Sequence, residues 1–405
     1  MENYVPNNEI KFHVPQDKKS YKFVGLNQKE NNAEFVFPCQ YLVDTQNKEQ
    51  CKLEAKKLVK VIKGAYTNSL DYGNIQNVFQ YFSMIWLIQD FMENGYFKEV
   101  ETTTKIASKG KIDWQKTVKE NNFWLDNNNI VYNKFARKLT ITKEFDLTTE
   151  IYKFCLEIAL KNFGWMFEVS RCEKSIFANT SSNRKMMVRF LKDKITKTYI
   201  DSKIMLFKNL YSILTNTQNN TTTSTFALTD REFEYVFEKL IDNCFGTENA
   251  RDYYNEYEYV LLDGVNESFE NVSVSRPDTI CIDNKKMFIL DAKYYGYGYT
   301  KSRYDLPQTS SIVKQFAYEK YLDALYGKKS EKKMSISSAF MLPCSNADEP
   351  IKYVGYAKAK LKEKSNNKEK IHVFLIDLKT LVETYFDSKL KQKMKREFIK
   401  MFSKI

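Results

Sequence analysis

The sequence predicts an α/β protein, with a C-terminal core of mixed β-sheet flanked by helices and an N-terminal α+β region ahead of it. Beyond residue 226 the apolar patterns run helix, strands, helix, strands, the order of a sheet covered on its faces. Hydrophobic residues form 43% of the 405-residue chain, enough for more than one core. The stretch Asn219-Asn220-Thr221-Thr222-Thr223-Ser224-Thr225 is polar and uncharged, has nothing to bury, and reads as a linker or surface loop rather than a strand. It divides residues 1–218, with a further subdivision near residue 100, from a core over 226–405.

In chain order, Tyr21-Lys22-Phe23-Val24-Gly25 and Glu34-Phe35-Val36-Phe37 read as short strands, and Glu54 to Lys63 as a helix. Phe79, Phe82, Met84, Ile85, Trp86 and Ile88 give Val78 to Met92 the broad apolar face of a longer helix. Ile106 to Trp124 reads as loop and strand around Gly110-Lys111-Ile112-Asp113-Trp114, which is either a tight turn or a surface grip. Asp146-Leu147-Thr148-Thr149 starts a helix that Ile151, Phe154, Cys155, Ile158 and Ala159 carry into a core. Thr229 with Glu232 forms a capping-box pattern ahead of Phe233, Val236, Phe237, Leu240 and Ile241. Strands are expected from Tyr257 to Leu262, Ser273 to Ile282 and Lys286 to Tyr294, then a helix from Ser311 to Leu325. Returning strands follow from Ser335 to Leu342, Tyr353 to Ala359 and Ile371 to Ile376.

Composition narrows the chemistry. Lys and Arg number 63 against 51 Asp and Glu, and the net charge of +12 suits a polyanionic partner or a merely soluble basic protein. The seven cysteines lie far apart with no CxxC pair, which predicts reduced, mostly buried thiols in a cytoplasmic protein and no zinc knuckle. Met1-Glu2-Asn3 opens a polar stretch, so no signal peptide is expected. No apolar run approaches the ~18 residues of a membrane span. His13 and His372 are the only histidines, which closes mechanisms built on clustered imidazoles.

The chemistry concentrates around one hairpin. Asp283-Asn284 sits between two extended runs, so Asp278 and Asp291 come to lie on neighbouring antiparallel strands. Asp291 and Lys293, two apart, share a strand face, while Leu290 and Ala292 point to the other. Phosphodiester hydrolysis needs neutralised phosphate charge, a deprotonated water in line with the leaving oxygen, and a proton for that oxygen. Two carboxylates can share Mg²⁺, a hard cation that prefers oxygen ligands and keeps several waters. The backbone carbonyl of Ala292 offers a further oxygen, and Lys293 would orient or activate the attacking water and balance phosphate charge.

Spacing alone does not single out these residues; their neighbours do. Arg276-Pro277-Asp278-Thr279-Ile280 followed by Phe288-Ile289-Leu290-Asp291-Ala292-Lys293-Tyr294-Tyr295 resembles the PD-(D/E)xK nuclease superfamily, and more closely the McrC-like and LlaJI-type restriction endonuclease subunits. The resemblance implies a restriction-endonuclease-like core in which Asp278 and Asp291 are Mg²⁺ ligands and Lys293 serves the water. It also implies a carboxylate on the preceding helix, assigned to Glu238 with Glu234 left open because the two share a helix face. Gln315, on the helix after the motif, is implied to lie near the phosphate or the water. Gly110-Lys111-Ile112-Asp113-Trp114 and Phe145-Asp146-Leu147-Thr148 resemble landmarks that precede the nuclease domain, extending the likeness over residues 100 to 380. On this reading residues 226–405 form a nuclease domain and residues 1–218 a recognition or assembly region.

Double-stranded DNA is the partner these readings imply. Between Arg171 and Lys208 lie ten basic residues against three acidic ones, and Lys185, Arg189 and Lys192 share a helix face that is either a phosphate contact or a solvated surface. Arg276, Tyr297 and Arg303 are further candidates for DNA contact. The segment Tyr294 to Tyr299, interleaved with Gly296 and Gly298, is either a loop over the minor groove or a turn packed on the sheet. Lys389, Lys391, Lys393, Lys395, Arg396, Lys400 and Lys404 decorate an amphipathic C-terminal helix that suits DNA, a partner or its own core, with no second signal for a membrane. One metal site cuts one strand, so double-strand cleavage implies a homodimer on DNA. Some relatives work with an AAA-type GTPase; the chain has no GxxxxGK[ST], so such a motor would be a separate polypeptide. A Mg²⁺-dependent endonuclease of a bacterial restriction system, a nuclease subunit of a GTPase-driven complex, and a non-catalytic DNA-binding component are the three resulting functions.

Overall fold

The computed structural model describes residues 3–4, 10–16, 24–29, 32–67, 76–120, 123–126, 129–142, 146–167, 169, 172–216, 223–227, 233–247, 253, 255–259, 269–327, 333–358 and 370–405. The capping-box pair Thr229 and Glu232, like the start of the strand expected at Tyr21, lies outside them. The chain forms two compact units, one of residues 1–8 and 79–220, the other of residues 9–78 and 221–405. The single division expected at 219–225 is therefore one of three places where the chain passes from unit to unit, and residues 9–78 join the C-terminal core.

The first unit is built of helices and a small antiparallel sheet. Helices Gln76–Asn94, Leu147–Phe163, Ser181–Lys197 and Asp201–Asn216 bury Met84, Ile151, Cys155, Leu191 and Leu210 among them. Asp146 caps the second of these by accepting from the Thr148 amide, as its short carboxylate predicts. Strands Val100–Ile106 and Lys111–Ile112 both flank Ala136–Thr142. Gly110 resolves its alternatives toward the tight turn: its φ is +106°, and a Cβ there would lie 2.6 Å from the Lys138 carbonyl.

The second unit centres on a five-stranded mixed sheet in the order Thr279–Asp283, Lys286–Ala292, Ser335–Cys344, Lys370–Asp377, Ile351–Lys358. The three central strands are parallel and the two outer ones antiparallel to their neighbours. The crossover helix Thr309–Tyr326 covers one face, where Tyr318 and Leu322 pack on Ile280, Met287 and Ile289. Helix Glu234–Phe245 and the C-terminal helix Ser388–Phe402 cover the other. Of the occupants open to the basic C-terminal helix, its own core takes the apolar face: the Phe398 ring centre lies 5.4 Å from Phe245, 5.5 Å from Phe288 and 5.1 Å from Phe374. Phe398→Ala is therefore expected to cost about 3–5 kcal/mol in urea unfolding, with the lysines contributing little.

Two local expectations change. The run from Ser273 to Ile282 is two strands, Phe269–Ser275 and Thr279–Asp283, because Pro277 has no amide to continue a ladder and the chain bends through Asp278. The polar stretch at 219–225 ends inside a strand, Thr223–Ala227, which pairs with Gly25–Lys29 in the order Thr223–Ala227, Gly25–Lys29, Asn32–Val36, Ile10–His13. Its threonines are β-branched, which suits an edge strand even without apolar alternation. Six of the seven cysteines are buried and all are free thiols.

Candidate active site

The hairpin that carries the candidate residues forms for local reasons. Asn284 takes the left-handed conformation, φ +53°, that asparagine tolerates in a turn, and the pairing runs from Asp283 opposite Lys286 to Thr279 opposite Leu290. One step further along this register Asp278 meets Asp291. The Lys293 amide donates to the Met341 carbonyl at 2.9 Å, which extends the parallel pairing past the strand end and holds Lys293 in line.

Lys293 Nζ donates to Asp291 Oδ1 at 2.8 Å and lies 4.0 Å from Asp278 Oδ2. Side-chain exposures of 5% for Asp291, 15% for Lys293 and 20% for Asp278 place the cluster at the margin of the core, where charges interact strongly. Ala292 lies between them in the strand and is buried. Burial, a hydrogen bond to Asp291, and the charges of Asp291 and Glu238 push the Asp278 carboxyl well above the usual carboxylate range, against the pull of Lys293. For Lys293, burial opposes the charge, but Asp291, Asp278 and Glu238 outweigh it and raise its pKa above the ordinary lysine value. Burial also raises Glu238, with Lys293 lowering it and Glu234 and Asp291 adding to the rise. Glu238 thus feels Asp291 and Lys293 from helix Glu234–Phe245.

Other sequence-selected residues take varied places. Gln315 is 1% exposed on the inward face of the crossover helix, one turn before Tyr318, with its Oε1 buried and unpartnered among the described residues. Arg276 is exposed beside Asp278, and its carbonyl accepts from the Tyr318 hydroxyl. Tyr297 lies in the short helix Tyr297–Thr300, half-buried against the Phe340, Leu342 and Leu375 cluster, so this segment is an ordered turn on the sheet; Arg303 beyond it is exposed. Lys185, Arg189 and Lys192 are exposed on helix Ser181–Lys197 of the other unit.

Lys314 went unrecognised in the sequence. Its Nζ lies 5.5 Å from the centre of the Tyr318 ring. Burial works against its charge, but Tyr318, Asp278 and Asp291 together raise its pKa. Lys314 is exposed, as helix periodicity assigns a lysine, so its position one residue before Gln315 was the one available signal.

Among the described residues no group of three or more His, Cys, Asp or Glu side chains is set to hold a metal ion. Asp278 and Asp291 still suit a hard divalent cation that keeps most of its waters: the donors are oxygens, one amine faces two carboxylates, and Asp278 Oδ2 is buried without a hydrogen-bond partner among the described residues.

A family model described as LlaJI restriction endonuclease matches residues 23–397. The type II restriction enzyme BsuMI component YdjA of Bacillus subtilis strain 168 is 24% identical over 364 residues, covering 83% of this chain and 75% of that one. Among solved structures, a half-complex from a tetradecameric assembly of Thermococcus gammatolerans McrB AAA+ hexamers with bound McrC matches at 12% identity and a TM-score of 0.42, over 94% of this chain and 82% of the other. The Thermococcus gammatolerans McrBC complex matches at 12% identity and 0.25, over 57% and 68%. The family match runs through the hairpin bearing Asp278, Asp291 and Lys293, and by it the chain belongs to the LlaJI restriction endonuclease family, as an enzyme of the nuclease type.

Proposed function

We propose that the protein is a Mg²⁺-dependent endonuclease that hydrolyses double-stranded DNA at specific sites within a bacterial restriction system. The observation that carries this reading is the convergence of Asp278, Asp291 and Lys293 at the end of one hairpin. Asp278 and Asp291 would hold the cation, with Glu238 and the Ala292 carbonyl as further oxygen donors. Bound there, Mg²⁺ supplies charge neutralisation at the phosphate and lowers the pKa of a water. With its pKa raised, Lys293 is an ammonium at neutral pH, so it positions the water and balances phosphate charge rather than removing a proton. The buried amide of Gln315 offers a fixed polar group beside the same strand end. Lys314 is a second cation for the phosphate, and Lys314→Met is expected to slow single-turnover cleavage by about ten-fold, about 1.4 kcal/mol, with the fold intact.

Arg276 and Arg303 would contact backbone phosphates, as would Lys185, Arg189 and Lys192, which position DNA without reading bases. Two copies acting on antiparallel strands would make the double-strand cut. No described helix is long and apolar enough to cross a membrane.

The direct test is purified protein with varied duplex DNA and Mg²⁺, followed by mapping of cut ends: discrete ends are expected, and no cutting under any metal condition rejects an autonomous enzyme. The relative YdjA is named as a component of its enzyme, and this favours a second reading, a nuclease subunit that needs other polypeptides; the GTPase-driven complex is one form of it. That reading expects cleavage only when partner and nucleotide are added, and full-rate cutting by the chain alone excludes it.

A further inference from the structure

The C-terminal helix Ser388–Phe402 divides its side chains between the core and the solvent. Met394 and Phe398 are buried, and the Phe402 ring centre lies 4.8 Å from Phe288 and 5.6 Å from Phe374, so the sheet takes up the apolar face. The exposed residues of the helix are Ser388, Lys389, Gln392, Lys393, Arg396 and Lys400, all of them polar. Lys389, Lys393, Arg396, Lys400 and the following Lys404 stand four, three, four and four residues apart. At 3.6 residues per turn this spacing keeps the five cations on one side of the helix, opposite Phe398. With a rise of about 1.5 Å per residue the line is about 22 Å long and carries a cation about every 5–6 Å.

Little within the chain neutralises this line. From Ser388 to Ile405 there are seven basic residues and one acidic, so the segment carries half the chain's net charge of +12. Among the described residues Glu397 is the acid paired with the stripe, 4.0 Å from Lys393, and Arg396 donates to the Gln392 side chain at 3.3 Å. Lys391 and Lys395 are half-buried, and Lys395 donates inward to the Gly246 carbonyl at 3.5 Å. Like charges four apart on a helix repel, a cost that an anionic partner removes.

The face itself says which anion. A protein interface is built on apolar anchors inside a charged rim, and this face offers no anchor. A membrane surface would take the apolar face, which the sheet already covers. An unbroken line of cations suits a partner whose own charge repeats along a rod, the sugar-phosphate backbone of a duplex. We propose that Lys389, Lys393, Arg396, Lys400 and Lys404 form a sequence-independent contact for the phosphates of duplex DNA, outside the hydrolytic centre. This rests on the reading of DNA as substrate. The preceding strand ends at Asp377, level with Cys344, at the end of the sheet that carries Lys293. The last turn of the helix reaches the other end, where Lys286 Nζ donates to Ser403 Oγ at 2.9 Å. The stripe therefore leads away from Asp278 and Asp291, and the phosphates it holds are not the scissile one.

The test reads binding of the full chain to a labelled duplex in EDTA by fluorescence anisotropy, across a series of salt concentrations. Lys389→Gln, Lys400→Gln and Lys404→Gln are made together; all three residues are exposed, and urea unfolding checks the fold. Each lost phosphate contact lowers the slope of log affinity against log salt by about 0.9, so the triple variant should lower it by about 2–3. Every duplex sequence should weaken alike, by at least about ten-fold at about 0.15 M salt. A control removes the same charge elsewhere, Lys48→Gln, Lys60→Gln and Lys63→Gln at exposed positions of helix Lys48–Thr67, and should change the slope by less than about 1. An equal drop in both variants would mean that overall charge alone acts, and overturns the proposal; so does an unchanged slope in the first. Poly-glutamate and vesicles of phosphatidylserine with phosphatidylcholine stand for an acidic protein and a membrane. Stripe-dependent binding to either, with duplex affinity untouched, also overturns it. With Mg²⁺ added the loss should fall in KM, and a loss confined to kcat counts against the stripe. Duplex binding through the stripe without cutting rejects the nuclease reading alone, and cutting with the salt slope unmoved rejects the stripe alone.

Discussion

Lys293→Met is expected to abolish cleavage and weaken the fold together. The ammonium lies 2.8 Å from Asp291 and 4.0 Å from Asp278, and without it two nearly buried carboxylates face each other uncompensated. Removing one member of a buried charge cluster costs about 3–5 kcal/mol, far more than the median surface pair. The loss has a pH signature. Asp278 already has a raised pKa, and losing Lys293 raises it further, so acidification protonates Asp278 and relieves the repulsion. Urea unfolding at pH 8 and pH 5 in EDTA should show the larger loss at pH 8. A loss independent of pH would mean that Lys293 does not compensate these carboxylates.

Asp278→Asn is expected to separate stability from function in the opposite direction. If Asp278 holds the cation as proposed, cleavage should fall on the order of 10³-fold, because that ligand and its several kcal/mol of charge stabilisation would be gone. Metal-free stability at neutral pH should rise. A carboxyl whose folded pKa is raised binds its proton more tightly in the native state, so its contribution is fully present below the unfolded value and is lost as pH climbs through the folded value. At neutral pH the wild type carries that penalty and the amide does not. The melting temperature of Asp278→Asn in EDTA should therefore exceed that of the wild type at pH 8, and the gap should close toward pH 4. The double variant with Lys293→Met should recover much of the single variant's lost stability, since the two residues share one interaction. Additive effects would count against the coupling.

The hairpin that carries Asp278 and Asp291 was legible in the sequence because its causes are local. Strand alternation puts Asp291 and Lys293 on one face, Asp283-Asn284 supplies the turn, and Pro277 marks where the ladder stops. The mixed sheet and its covering helices followed from the order of apolar patterns, as did the start of helix Leu147–Phe163 at Asp146. Element ends moved by several residues: helix Lys48–Thr67 runs past Glu54 and Lys63 at both ends, and its added turns bury Cys51, Ala65 and Tyr66.

What the sequence determined by itself was therefore a hairpin with two carboxylates and an amine on an α/β core, because periodicity and turn chemistry act between near neighbours. Only the tertiary structure decided that residues 9–78 share a unit with the C-terminal sheet, that Thr223–Ala227 pairs with Gly25–Lys29, that Lys314 feels Asp278, and that Phe398 packs on Phe288. Those relations join positions far apart in the chain. They are set by which apolar faces exclude water together and which backbones approach closely enough to pair, quantities that no local pattern carries.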